Sequence, residues 1–169
     1  MNIMAQIFGT IAVMLMFLSY QKKSKKGFLK VQIFSNIFFG LQYFVLNAIS
    51  ALSSNIISAI RTIIFYKYEK SEKRIPISFL IIFEIIIILL GIYSYNGLYS
   101  IIPVFIAGLY TYGTWQEKIN TTYIIGIIAS ILWIYYNSLV GAYVAIIGSV
   151  IELIGSALGL IKLKTGKKY

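Results

Sequence analysis

Cysteine and histidine are both absent from the chain. Without cysteine there is no disulfide framework and no thiol nucleophile. Without histidine there is no imidazole for metal binding or for proton transfer near neutral pH. Charge is scarce too, at 12% of 169 residues, about half of what a soluble domain carries. The acids are five glutamates, and no two stand at a spacing that would pair them for acid–base work. These absences argue against an enzyme, against a metal site and against a bound cofactor.

What is present is apolar: 59% of the residues are hydrophobic and the mean hydropathy is +0.85. Apolar runs long enough to cross a bilayer, roughly 17 to 25 residues, follow one another with short gaps. The chain reads as an all-α integral membrane protein. Its 15 lysines and arginines would suggest nucleic acid in a soluble chain. Here they serve as orienting charges at a cytoplasmic face, and membrane lipid is the expected surrounding. The first run, "MNIMAQIFGTIAVMLMFLSY", lacks a positively charged start and an A-x-A cleavage pattern, so it reads as a retained helix.

Seven spans can be marked, at residues 3–20, 30–47, 50–68, 76–95, 99–115, 121–137 and 141–162. Three breaks, "LNAIS", "YNGLYS" and "YNSLVG", carry no charge, whereas "QKKSKKGFLK", "KYEKSEKRIP", "QEKINTT" and the tail "KLKTGKKY" are basic. The positive-inside rule then puts the N-terminus and the neutral turns outside, and the basic loops and C-terminus in the cytoplasm. Every lysine and arginine except Arg61 falls in a cytoplasmic loop, in the C-terminal tail or, like Lys30, Lys67 and Lys162, at the cytoplasmic end of a span.

Spans one to three and five to seven form a repeat. "LQYFVLNAIS" and "LWIYYNSLVG" pair Tyr43 with Trp133 and Asn47 with Asn137, and "YQKK" parallels "WQEK". Both triplets begin outside, so the expected architecture is 3+1+3, two parallel triple-helix bundles joined by a fourth span. The division is 1–68 for the first bundle, 69–98 for a cytoplasmic loop and linker helix, 99–163 for the second bundle and 164–169 for a basic tail.

On a helical wheel Ser54, Asn55, Ser58, Arg61 and Thr62 share an arc of about 120°. In the seventh span Gly148, Ser149, Glu152, Gly155, Ser156 and Gly159 share a similar one. Arg61 and Glu152 lie at comparable depth, so a pair between them would offset the cost of a buried arginine. Such a stripe reads as the wall of a central polar cavity, as a buried ion pair that fixes packing, or as an arginine that snorkels to the interface as an anchor. Glu84 stands alone in an apolar span, as a candidate proton-coupling group or as a protonated carboxyl bonded to a neighbour. The GxxxG at residues 155–159 suits close packing within the chain better than dimerisation, and homo-oligomerisation stays open.

"SNIISAIRTII", "WIYYN" and the overall spacing resemble the YgjV family of bacterial inner-membrane proteins, and the resemblance runs from the first span to about residue 162. More distantly, "WIYYNSLVGAYVAIIGSVIELIGSALGLI" is similar to the sixth and seventh spans of the SWEET and PQ-loop transporters. That similarity implies that Trp133, and Tyr43 in the first triplet, stack on a substrate. It also implies that Ser149 stands where those carriers have asparagine, with Asn55 the nearest amide in the first triplet. The Pro-Gln hinge of that superfamily is missing, because no proline precedes Gln21 or Gln116.

The expected function is transport of a small polar metabolite, bound by Tyr43, Asn55, Ser58, Arg61, Trp133, Ser149 and Glu152. The alternative is a non-transporting receptor, chaperone or accessory protein of the same fold.

Overall fold

The computed structural model describes residues 2–20, 22, 25–116 and 119–164. The paired motifs around Gln21 and Glu117, and the basic tail past Lys164, lie outside the described residues.

In hydrocarbon every backbone N–H and C=O must be bonded within the protein, which favours helices even where isoleucine is abundant. The described residues form seven helices and no strand: α1 (Ile3–Tyr20), α2 (Lys25–Val45), α3 (Ile49–Lys70), α4 (Ile77–Tyr93), α5 (Ile101–Trp115), α6 (Ile119–Val140) and α7 (Tyr143–Lys164). Pro76 caps α4 in an extended conformation, and Pro103 lies in the first turn of α5, where a missing N–H costs nothing.

Four helices, α2, α3, α6 and α7, are long and apolar enough to cross a membrane by themselves. The sequence suggested seven spans, and the difference is one of length. Helices α1 and α4 are apolar but have 18 and 17 residues, and α5 has 15. Fifteen residues rise about 22 Å, short of a hydrocarbon core of about 30 Å. A single 3-10 turn (Leu98–Ser100) runs directly into α5 and lengthens it.

Packing neighbours run α1 to α2, α2 to α3, α3 to α5, α5 to α6, α6 to α7 and α7 back to α1. Six helices thus close a ring, and α3 and α7 stand opposite each other in it. Helix α4 lies outside, packed on α3 and α5. Its outer face carries Ile81, Ile82, Ile85, Ile88 and Leu89, all at least half exposed. So large an apolar face needs a lipid or protein neighbour.

The two ends of the ring differ. At one end the α2–α3 and α6–α7 turns meet the start of α5 in a cluster built on Tyr43, Ala48, Ala51, Tyr136, Ala142 and Ala145. The start of α1 joins them: Gln6 donates to the Gly141 carbonyl at 3.0 Å and accepts from the Val144 N–H at 3.2 Å. At the other end the Trp115 indole donates to the Ile75 carbonyl at 3.0 Å, which ties α5 to the basic α3–α4 loop. Uncharged turns therefore gather at one end and basic segments at the other.

The two uncharged turns have the same geometry. Asn47 and Gly141 take positive φ of 55° and 73°. The next N–H, of Ala48 or Ala142, bonds back to the carbonyl of Tyr43 (2.9 Å) or Asn137 (3.0 Å). This is the six-to-one bond of a Schellman cap, which needs a left-handed residue just past the helix. It corrects the pairing read from sequence. Gly141, not Asn137, matches Asn47, and Asn137 matches Tyr43, a shift of one helical turn. Similar letters suggested the earlier pairing, but the left-handed position decides the register.

Candidate functional site

With Asn47 set on Gly141, the polar stripes of α3 and α7 superpose position by position. Ser54 falls on Gly148, Asn55 on Ser149, Ser58 on Glu152, Arg61 on Gly155 and Thr62 on Ser156. All ten residues line one cavity of about 460 Å³ in the middle of the ring. The volume is in the range of small-molecule sites, about 300–1,000 Å³.

Each residue expected to bind substrate (Tyr43, Asn55, Ser58, Arg61, Trp133, Ser149 and Glu152) lies on the wall of this cavity. Tyr43 and Trp133 were expected to stack on a ligand. Their rings instead stack on each other, with centroids 5.8 Å apart and planes at 14°. Tyr136 meets both edge-on. The Tyr43 hydroxyl donates to Asn137 Oδ1 at 2.7 Å, so the two equivalent turn residues bond to each other across the ring. Ser50 and Tyr136 share a further hydrogen bond of 3.2 Å. These aromatics close the cavity toward the uncharged turns. Toward the basic end its wall continues through Phe17, Phe28, Thr114, Thr122 and Ser156.

Arg61 is buried, with 5% of its surface exposed. Nη1 donates to Thr111 Oγ1 at 2.8 Å and to the Ala107 carbonyl at 3.3 Å, both on α5. Nε is buried without an acceptor. The expected pair with Glu152 is replaced by a different arrangement, in which Glu152 accepts from the Tyr110 hydroxyl at 2.6 Å. An arginine at mid-membrane costs at least about 2.5–3.5 kcal/mol on insertion scales, and the bonds to α5 offset part of that.

Glu84 is not a cavity residue. Its carboxylate rests on the α5 backbone at Gly108, where a Cβ would sit 2.9 Å from Oε2. Arg61 meets α5 within the same turn, at Ala107 and Thr111.

Helices α2 and α5 contribute polar lining that the sequence reading passed over. Gln32 and Asn36 of α2 face the cavity, and so do Tyr110 and Thr114 of α5. Asn36 donates to Thr62 at 3.5 Å. The spacing of Tyr110, Thr111 and Thr114 is a helical face, and the same wheel would have found it.

The GxxxG splits in function. Gly159 lies against Tyr123 of α6, where a Cβ would come within 2.5 Å of the ring, so it serves close packing within the chain. Gly155 faces open space, with nothing within 4 Å of an added Cβ. No group of histidine, cysteine or acidic residues among the described residues could hold a metal ion.

A model of the Imp-YgjV family, described as a bacterial inner membrane protein, matches residues 3–167. The chain belongs to that family. This YgjV-family chain is accordingly a bacterial inner-membrane protein. No curated protein and no solved structure matches it significantly.

Proposed function

We propose that the protein is a carrier that moves a small polar metabolite through the cavity at the centre of the ring. In this reading all seven helices cross the membrane in a 3+1+3 arrangement. Helices α1–α3 and α5–α7 are two like-oriented units, and α4 is the link. The uncharged turns face outward and the basic loops and C-terminus face the cytoplasm, as the positive-inside rule requires. In this reading the protein is a carrier and not an enzyme.

One observation carries this reading. A cavity of metabolite size, with polar side chains on both facing walls, lies between two equivalent helices, closed toward one face by Tyr43, Trp133 and Tyr136 and continued toward the other. A cavity closed on one side is one half of an alternating-access cycle. The two seams of the ring, α3 on α5 and α7 on α1, are equivalent places where the units can rock.

The plug also supports the second reading, a receptor or accessory protein that holds a ligand without moving it. Two side-chain hydrogen bonds pin the aromatics, and a plug that never opens makes a holder. Uptake into proteoliposomes of a labelled panel of sugars, amino acids, organic acids and nucleosides tests the choice. The carrier reading expects saturable flux of one class. Absence of flux for every member would favour the holder.

A further inference from the structure

We infer that the solute bears a carboxylate that docks on Arg61, in the space kept open by Gly155. This rests on the reading of the cavity as a solute site and adds the chemical class of the solute.

Among the described residues Arg61 is the cation of the cavity wall, and its charge is permanent. Its hydrogen bonds leave from Nη1 alone and end on α5. They hold the guanidinium in a fixed orientation and leave Nε without an acceptor. With Nη1 committed to α5 and Nε buried, Nη2 is the donor left for a solute, and a carboxylate meets it with a charge-assisted hydrogen bond. The glutamates near it do not fill that place. Glu152 is engaged by Tyr110, and Glu84 sits outside the cavity against Gly108.

The opposite wall has room. Gly155 is the counterpart of Arg61 on the facing helix, and an added Cβ there would meet nothing within 4 Å. Had the second unit carried a side chain of similar size, the two would fill the middle of the ring. Around this space Asn55, Ser58 and Ser149 offer an amide and hydroxyls for the rest of a polar solute. A neutral polyol could use those groups but would leave the buried guanidinium without an anion in hydrogen-bond contact, which the low dielectric of the membrane penalises.

Thermal unfolding of the purified protein in nanodiscs, with matched acid and amide pairs as probes, tests this. The pairs are propionate with propionamide, succinate with succinamide, and glutarate with glutaramide. At saturating concentration at least one acid is expected to raise the midpoint by about 4 °C, with no effect of its amide. The shift should vanish in Arg61→Gln. It should also vanish in Gly155→Leu, which leaves the guanidinium in place and whose Cβ meets nothing within 4 Å, so a folding defect in the first variant does not decide the outcome. Amides that stabilise as well as acids, or an acid effect that survives in both variants, would overturn the inference and leave the cavity as a site for neutral solutes. If neither series shifts the midpoint, the carboxylate is likewise refuted. The carrier reading is then decided separately by the sugars and nucleosides of the flux panel.

Discussion

Helices α3 and α7 begin from the same turn, run along opposite sides of the same cavity and carry small or polar residues at matching positions. They differ in charge. Where α3 has Ser58 and Arg61, α7 has Glu152 and Gly155. The backbone is doubled while the chemistry is not. On the proposed carrier reading, the symmetric frame would give two like seams for rocking, and the asymmetric lining would give a solute one way to sit. Stability should therefore depend on what the halves share, and solute handling on where they differ.

The largest effects are expected where the halves differ. Arg61→Gln should weaken solute binding about 100-fold, as expected when one side of a buried charge contact is removed. Isothermal titration with the solute found in the flux panel measures this, and a loss under tenfold would break the comparison. Gly155→Leu should abolish flux yet keep the melting midpoint within about 2 °C of the parent, because it fills empty space and gains helix propensity.

The same substitution one turn on, Gly159→Leu, should do the reverse. It meets Tyr123 and should cost about 1–3 kcal/mol by overpacking the α6–α7 contact, read from the unfolding midpoint. Equal behaviour of the two glycines would contradict their assignment to cavity and contact.

Smaller effects test what the halves share. Gly141→Ala should cost about 1 kcal/mol because alanine resists the left-handed turn, and Asn47→Gly should be neutral or slightly stabilising. If Gly141→Ala is harmless, the register that places Gly141 on Asn47 is wrong. Tyr43→Phe removes one hydrogen bond of the plug, for about 1 kcal/mol, and should ease opening toward the uncharged turns.

Much of the frame was legible from the chain. Apolar runs separated by alternating neutral and basic breaks located every helix, and the wheel found the stripes of α3 and α7. The stripes were visible because polar residues inside an apolar span have few reasons to be there. The register of the repeat was not, since Asn47 and Asn137 look alike and only backbone geometry shows that one takes a positive φ. The partner of Arg61 was missed for a related reason. A wheel shows which face a residue occupies but not which neighbouring helix meets it, and the ring order puts α5 beside α3. Tyr110 and Thr111 thus take the contacts that were assigned to a direct Arg61–Glu152 pair.

The chain contains no cysteine, so one introduced thiol reports on the cavity without background. Ser58→Cys places that thiol on the cavity wall, and a membrane-impermeant thiol reagent can be applied to right-side-out and inside-out vesicles in turn. Alternating access requires labelling from both faces, fast from the side of the basic loops and slower from the side of the uncharged turns. Labelling from the basic side alone, at any exposure time, would contradict the carrier account and leave a cavity that holds its ligand without passing it on.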